Sequence, residues 1–214
     1  FSIVSYTGNG VAGATVGHGL GAAPDVIIIK NREISKNWPV YHSAVDASAP
    51  EDYYLFLNTT VARADLTLAW NDTAPTSSVF TIGTMSDLNT SGDGHIAYCF
   101  AEVEGFSKFG SYTGNGSTDG PFVYCGFRPA WVMVKRTDTT TDWVLWDAVR
   151  DANNVMSREL QPDKSDAEVT SGDDLDFTSN GFKARRNANN FNASGGTYIF
   201  MAFAEAPFKY SNAR

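Results

Sequence analysis

Charged and metal-binding residue types are scarce in this sequence. Asp, Glu, Lys and Arg together make up 19% of the chain, and only three histidines and two cysteines are present. So few cysteines exclude a disulfide framework, and the closely spaced His and Cys pairs that bind zinc are absent. Cys99 and Cys125 both lie in alternating apolar runs, which favours two buried free thiols, although a single disulfide stays open.

Long apolar runs and positive charge are also lacking. The longest aliphatic stretch covers residues 26–29, far short of the roughly 18 residues that cross a bilayer, so we expect no membrane span. The formal net charge is -8, which opposes a nucleic-acid partner. Basic residues cluster at two places only, which we interpret as strand faces or turn edges: Lys135 with Arg136, and Lys183 with Arg185 and Arg186.

The sequence opens at Phe1, and no signal peptide is recognisable there. A charged n-region, an apolar h-region and an initiating methionine are all missing. We therefore expect the chain to be a segment of a longer polypeptide.

Aromatic residues and glycine are abundant, and they favour an all-β fold. Aromatics make up 13% of the chain and 19 glycines are present. Runs of four to eight β-forming residues are cut by turn residues, which predicts seven or eight short antiparallel strands in each half and a jelly-roll-like β-sandwich. The first half offers SIVSYT, TVGHGL, DVIIIKN, WPVYHS, YYLFLN, LTLAW, SVFTIG and HIAYCFAEV. The second offers FGSYT, FVYCGF, AWVMVKR, DWVLWD, LDFTS, GFKARR and TYIFMAFAE, with one short helix predicted over residues 148–161.

The chain contains an internal repeat. The segment SYTGNG at residues 5–10 recurs at residues 111–116, an offset of 106. Three residues recur 105 positions later: Pro24, Lys30 and Trp38 match Pro129, Lys135 and Trp143. FAE at residues 100–102 recurs 103 later, and VFT at residues 79–81 is matched with DFT 97 later. The repeat predicts two tandem sandwiches, 1–105 and 106–214, or one merged pseudo-symmetric unit.

The repeat also bears on the aromatic and glycine positions. Trp38 and Trp143 occupy equivalent places, and we expect both indoles to be buried in the core because their apolar area is large. SYTGNG is predicted to form a tight turn with positive φ, since no helix pattern follows that could bind a phosphate.

No catalytic constellation emerges from the sequence. His18, His42 and His95 are predicted to be surface or strand-edge residues, and none lies near a nucleophile motif. The 24 acidic residues include no distinguishable pair for glycoside hydrolysis, and Glu102 and Glu205, duplicated in FAE, are expected to be architectural. We predict a protein that is not an enzyme and that needs no cofactor.

Calcium is a weak hypothesis for the segment DLNTSGDG. Asp87, Asn89, Ser91 and Asp93 alternate around a glycine, as in the first half of a calcium-binding loop. The twelfth position is Tyr98, where a bidentate Glu is required, so a glycine-rich turn is the better interpretation.

Exposed aromatic rings beside polar loop residues would be expected for carbohydrate binding. Trp70 is the best candidate, with Asn71 and Asp72 next to it, although a core position for Trp70 stays equally open. Trp146 and the pair Tyr53 and Tyr54 come next.

Three phrases together resemble a poorly characterised domain found at the C-terminal ends of tail-fibre and other virion structural proteins of marine and cyanobacterial bacteriophages. These phrases are SYTGNG, FAEVEGFSKFGSYTGNGSTDGPFVYCGFRPAWVMVKRTD and SGGTYIFMAFAEAPFKYSNAR. The resemblance covers essentially the whole chain and brings no catalytic residues with it. It also implies that FKYSNAR is a natural C terminus.

The resemblance implies a virion-surface module. We expect receptor binding by adhesion to host-surface glycan, with other virion proteins as further partners and a homotrimer as the fibre-like assembly. A purely structural role, in capsid decoration or as a fibre subunit, is the alternative, and a glycan depolymerase is the third hypothesis. A solvent-exposed groove around Trp70 would favour adhesion, whereas broad apolar patches would favour assembly.

Overall fold

The computed structural model describes residues 1–206, apart from the side chain of residue 171. The chain is all-β, with 42% strand and 5% helix, and its sheets are antiparallel, which confirms the predicted fold class. It divides into two compact units, Phe1–Ala101 (unit 1) and Glu102–Arg214 (unit 2). The expected natural C terminus, FKYSNAR, lies outside the described residues.

Unit 1 contains a six-stranded sheet and a separate two-stranded one. The six-stranded order is β1-β8-β3-β4-β5-β6, and β2 pairs with β7. The strands are β1 Ser2–Thr7, β2 Ala14–Gly17, β3 Val26–Asn31, β4 Pro39–His42, β5 Tyr53–Phe56, β6 Ala64–Asp65, β7 Val79–Ile82 and β8 Gly94–Phe100. Three short helical turns are η1 Pro50–Asp52, α1 Thr67–Trp70 and α2 Ser86–Asn89. The core of unit 1 is formed by β3, β4 and β8 on one side and by β2, β7, α1 and α2 on the other.

Unit 2 is a sandwich of two four-stranded sheets, ordered β12-β11-β16-β9 and β10-β15-β14-β13. The strands are β9 Ser107–Thr113, β10 Phe122–Tyr124, β11 Pro129–Arg136, β12 Trp143–Asp147, β13 Met156–Glu159, β14 Val169–Thr178, β15 Gly181–Ala184 and β16 Thr197–Ala204. Both sheets contribute apolar side chains to one core. In each unit the first strand pairs with the last and the second with the next to last, a nested pairing that a jelly roll shares.

Two secondary-structure predictions were wrong. The segment LTLAW was predicted as a strand, but residues 67–70 form α1, which places Ala69 and Trp70 in the core. The helix predicted over residues 148–161 is instead a turn followed by β13, where Met156 pairs with Leu175 and is buried. Pairing with β14 places Met156 in the core of unit 2, which an isolated helical turn would not do, so tertiary context overrides local propensity.

The turn built by SYTGNG is held in the same way in both units. In unit 1 the backbone N–H groups of Asn9 and Gly10 donate to Oδ1 of Asn89, at 2.8 and 3.1 Å. In unit 2 the N–H of Asn115 donates to Oδ1 of Asn192, at 3.0 Å. Asn192 lies 103 residues after Asn89, so the repeat preserves a buried amide that satisfies the turn's backbone. Gly10 has a φ of 69°, which a side chain rarely adopts.

A repeated lysine holds the hairpin loop that follows β3 and β11. Nζ of Lys30 donates to the carbonyl of Lys36 at 3.0 Å, and Nζ of Lys135 donates to the carbonyl of Thr141 at 2.8 Å, six residues ahead in each case. Lys135 is fully buried, and burial lowers its pKa to about 8. These contacts explain why a lysine recurs at this place in both copies.

The two repeated tryptophans differ in burial. Trp143 is buried, as predicted, but Trp38 is only partly buried and lies beneath Nζ of Lys30, 5.9 Å from the ring centroid. The backbone N–H of each tryptophan donates to a side-chain Oδ1, that of Asn58 in unit 1 and that of Asp163 in unit 2. The two copies therefore share the hydrogen bond of the tryptophan backbone, whereas the burial of the indole differs between them.

The sequence match between VFT and DFT does not correspond to equivalent strands. β2 pairs with β7 and β10 pairs with β15, so Phe80 of VFT corresponds to Phe182 and not to Phe177. The tyrosines of the two SYTGNG segments confirm this, because Tyr6 contacts Phe80 edge-on and Tyr112 contacts Phe182 edge-on. The offset is then 102 residues, in line with the neighbouring matches.

The cysteines and histidines are all buried. Cys99 and Cys125 are free thiols, as the alternating pattern favours, and burial raises the pKa of each to about 12. His18, His42 and His95 were predicted at the surface or at strand edges, but all three are at most 2% exposed. Hydrogen bonds to the backbone explain their burial, since Nδ1 of His18 and of His42 each accept a backbone N–H.

No helix among residues 1–206 is long and apolar enough to cross a membrane.

Candidate functional site

Trp70 does not form an exposed sugar-binding platform. The side chain is 2% exposed, its Nε1–H donates to the carbonyl of Tyr53 at 3.1 Å, and its ring packs edge-on against Tyr41. Asn71 and Asp72 terminate α1 in the left-handed region, with φ of 58° and 43°. The core interpretation of Trp70 is therefore correct, and no groove can form around a ring that is enclosed by its own unit.

The other predicted aromatic residues are also occupied by intramolecular contacts. Trp146 is fully buried, and its Nε1–H donates to Asp174 at 3.1 Å. Tyr53 lies beneath the guanidinium of Arg63, 4.3 Å from the ring centroid, and the partly buried Tyr54 packs against the core of unit 1. Trp146 is therefore closed to a ligand, whereas Tyr53 and Tyr54 are partly exposed and their assignment to a sugar site stays a prediction.

The calcium hypothesis finds no support in the geometry. Oδ1 of Asp87 accepts the N–H of Asn37, Oδ2 of Asp93 accepts Nδ2 of Asn31, and the side chain of Asn89 holds the SYTGNG turn. Across the part of the chain that the structure describes, no three His, Cys, Asp or Glu side chains come together as a group that could hold a metal ion. One oxygen of Asp87, one of Asp93 and the amide oxygen of Asn89 are thus engaged in protein hydrogen bonds.

Two acidic side chains in unit 2 are buried, and hydrogen bonds fix both in place. Glu159 and Asp174 are 3% and 0% exposed, and burial raises the pKa of each above its ordinary value. Glu159 accepts a hydrogen bond from Gln161, and Asp174 accepts hydrogen bonds from Trp146 and Arg186. Asp174 thus links β14 to Trp146 of β12, whereas Glu159 is held by its neighbour in sequence. Because both carboxyl groups are enclosed, they do not present an open acid pair to a substrate.

Among residues 102–206 of unit 2, the exposed aromatic residues lie on the strand β10, within the predicted FVYCGF. Phe122 and Tyr124 are 47% and 63% exposed, whereas Val123 between them is buried in the core. Since successive side chains of a strand point to opposite faces, both rings project from the outer face of the sheet β10-β15-β14-β13. They lie about 7 Å apart along the strand, at roughly 3.3 Å per residue. We call this surface the Phe122/Tyr124 face.

Polar side chains surround these rings on the same face. One row across β10, β15 and β14 consists of Phe122, Lys183 and Asp176. The next row consists of Tyr124, Gly181 and Thr178. The Phe122 ring leans over Gly181, where a Cβ would come within 3.2 Å of it. The same Cβ would come within 2.1 Å of the carbonyl oxygen of Val123, so only glycine allows β10 and β15 to approach this closely. Rings, a hydroxyl and a charged pair therefore share one exposed surface.

Ion pairs fix the charged groups of the Phe122/Tyr124 face. Nζ of Lys183 pairs with the carboxylate of Asp119, and Nε of Arg185 lies 3.4 Å from Oδ2 of Asp176. The basic cluster Lys183, Arg185 and Arg186 thus lies on β15 and directly after it, and each residue has an acidic partner. The surface is consequently close to neutral, with charge arranged as local pairs.

Unit 1 lacks this surface, although it has the same strand. β2 corresponds to β10, and its exposed positions are Thr15 and Gly17, on either side of the buried Val16. One copy of a duplicated fold therefore carries two exposed rings where the other carries a hydroxyl and no side chain. Core packing cannot explain this difference, because both positions face outward in both units.

A search for sugar-binding aromatics by loop position missed Phe122 and Tyr124, although a sequence signal existed. In FVYC, exposed and buried side chains alternate, and because Cys125 is buried, Val123 points inward with it while Phe122 and Tyr124 point outward. Comparison of FVY with ATVG in the other copy would have shown that the outward aromatics are not shared. The signal was overlooked because the two segments differ too much in sequence to align without the strand pairing.

The sequence pattern of one family, described as "Domain of unknown function (DUF7483)", matches residues 1–207. The chain belongs to this family. The match spans both units, so this family's domain includes the complete repeat and not one copy of it. No curated protein and no solved structure matches the chain.

Proposed function

We propose that this member of the family is a non-catalytic binding module of a phage virion surface, and that it adheres to host-surface glycan through the Phe122/Tyr124 face. The observation that supports this proposal is the pair of exposed rings on β10, at positions where unit 1 has Thr15 and Gly17. Exposed aromatic rings are costly to keep in water unless a ligand covers them. The virion location rests on the sequence resemblance.

The chemistry of the face suits a sugar chain. The apolar C–H faces of sugar rings can stack on Phe122 and Tyr124, which releases water from both surfaces. The hydroxyl of Thr178 donates to the carbonyl of Gly181 at 2.9 Å, so its oxygen is left to accept from a sugar hydroxyl. Lys183, paired with Asp119, and Asp176, paired with Arg185, offer a further donor and acceptor on the same face. The hydrogen-bonded strands β10, β15 and β14 also hold these groups in fixed positions, which reduces the entropy that binding removes.

The expected contribution of each ring is about tenfold in affinity. A tyrosine of about 200 Å² that is 63% exposed leaves roughly 130 Å² accessible, and a stacked sugar covers about half of that. At about 25 cal/mol per Å², this area corresponds to about 1.5 kcal/mol, or about a factor of ten. We expect Tyr124→Ala and Phe122→Ala to weaken binding by about this factor each.

A glycan array of bacterial surface polysaccharides, probed with the full chain, tests the proposal. Leu68→Ala and Val61→Ala are matched controls, because these apolar side chains are 49% and 44% exposed and lie in unit 1. Binding that Tyr124→Ala reduces and that both controls leave unchanged supports the proposal. Absence of binding to every glycan, or equal loss in all four variants, contradicts it.

A structural role in the virion is the second candidate, and other exposed apolar residues favour it. Phe1 and Ile3 on or beside β1 are 63% and 56% exposed, and Val11 after the SYTGNG turn is 59% exposed. Contacts with other virion proteins, or with copies of this chain in a trimer, would cover such residues. If the array is negative and the chain is trimeric by sedimentation velocity, assembly is the better assignment.

A further inference from the structure

A cleft in unit 1 separates the edges of its two sheets. The cavity has a volume of about 290 Å³ and is lined along one side by β1 and the SYTGNG turn and along the other by β2. Val4, Val16 and Ile82 form apolar parts of its wall, and Ser5, Thr7 and Thr15 contribute hydroxyl groups. The volume lies at the lower end of the range of about 300–1,000 Å³ for small-molecule sites, so the cleft suits a narrow occupant.

Both walls of the cleft are open strand edges. Within residues 1–206, β1 pairs only with β8, and β2 only with β7. The N–H of Gly8 donates to the carbonyl of Asp93, which precedes β8. In an antiparallel pair, residues whose N–H and C=O face the partner strand alternate with residues whose N–H and C=O face away from it. By this alternation the backbone groups of Ser5 and Thr7 point toward the open edge.

The same alternation applies to β2. The N–H of His18 donates to the carbonyl of Ser78, so the even-numbered residues of β2 face β7 and the backbone groups of Thr15 and Gly17 face outward. Thr15 and Gly17 also line the cleft. Two rows of backbone donors and acceptors therefore border the same space.

These edges lack the features that usually prevent strand pairing. Residues 1–24 contain no Asp, Glu, Lys or Arg, and β1 and β2 contain no proline. Charged side chains and proline are the common means by which proteins protect an edge strand. The corresponding edge strand of unit 2, β9, carries Lys108. Unit 1 thus presents an unprotected edge pair where unit 2 has a charge.

We propose that the cleft between β1 and β2 binds an extended polypeptide strand, which adds to both sheet edges by backbone hydrogen bonds. The partner segment alternates small apolar side chains, directed at Val4, Val16 and Ile82, with polar side chains directed outward. It carries no charged residue within the cleft, because the lining offers no charged partner. This site lies in unit 1 and is independent of glycan binding by the Phe122/Tyr124 face.

A capped eight-residue peptide of alternating Val and Thr is the probe. We expect binding to slow hydrogen exchange at the amides of Ser5, Thr7, Thr15 and Gly17, since each gains a hydrogen bond. A second peptide of the same sequence, N-methylated at alternate residues on one edge, loses those donors and should bind at least tenfold more weakly. This comparison leaves the protein unchanged, so a folding defect cannot explain its result.

A protein variant provides an independent test. Ser5→Pro removes an N–H that points to the cleft and not to β8, and Ser111→Pro is the matched change 106 residues later in unit 2. We expect only Ser5→Pro to weaken peptide binding, by at least tenfold. Failure of the Val–Thr peptide to bind, equal binding of the N-methylated peptide, or protection of the cleft amides by an oligosaccharide instead overturns the proposal. Loss of glycan binding in Tyr124→Ala does not contradict the peptide-binding proposal, because Tyr124 lies in unit 2.

Discussion

The buried amide of Asn89 offers the sharpest test of how the repeat stabilises its fold. Its Oδ1 accepts the N–H groups of Asn9 and Gly10, and its Nδ2 donates to the carbonyls of Val11 and Gly83 at 3.0 and 2.8 Å. The side chain is 1% exposed, so water cannot replace it in these contacts. Asn89→Ala therefore leaves four backbone groups without this partner.

The expected loss follows from these four hydrogen bonds. A net contribution of about 1 kcal/mol for each bond gives a loss of about 3–5 kcal/mol in the free energy of unfolding of unit 1. Asn89→Asp should lose a comparable amount, because a carboxylate oxygen would face two carbonyl oxygens. Asn153→Ala is the control, since Asn153 is exposed, and it should change stability by less than about 0.5 kcal/mol.

Urea denaturation followed by tryptophan fluorescence measures the loss, and hydrogen exchange at Asn9 and Gly10 locates it. We expect the Asn9 amide to exchange faster in Asn89→Ala, whereas the Gly10 amide keeps its second bond, to the backbone carbonyl of residue 89 at 3.1 Å. Asn115 in unit 2 keeps its protection because Asn192 is intact. A loss below about 1 kcal/mol, or unchanged exchange at Asn9, would refute the argument that this amide holds the turn.

Two further predictions concern the same region of unit 1. Burial lowers the pKa of His95, whose Nδ1 lies 3.1 Å from the carbonyl of Asp93 and whose Nε2 is buried without a hydrogen bond. The neutral ring therefore stabilises unit 1 above the unfolded-state pKa of about 6.5, and stability should fall as the pH drops below that value. Denaturation at pH 5 and pH 7.5 should show this loss in the parent chain and not in His95→Phe. A Cβ at Gly8 would come within 2.2 Å of the Thr90 carbonyl, so Gly8→Ala should lower the thermal midpoint far more than Gly19→Ala, where φ is positive but no atom lies within 4 Å. Equal shifts in calorimetry would show that steric contact at Gly8 is unimportant.

The candidate site could be predicted only in part, for reasons that particular residues make clear. Alternation within FVYC was visible, but the partner strand that turns Val123 and Cys125 inward was not. For Trp70 the sequence left a sugar-binding position and a core position equally open, and only the packing of α1 within unit 1 shows that the ring is buried.

Sequence alone determined the strand-rich composition, the duplication and the repeated turn, since these depend on residue type and on spacing along the chain. Lys30 and Lys135, like Asn89 and Asn192, recur because identical local geometry needs an identical donor or acceptor. Only the tertiary structure decided which aromatic rings reach solvent and which sheet edges stay open. Those properties depend on pairing between strands that are distant in the sequence, because the register of that pairing decides which side chains point to the core and which to solvent.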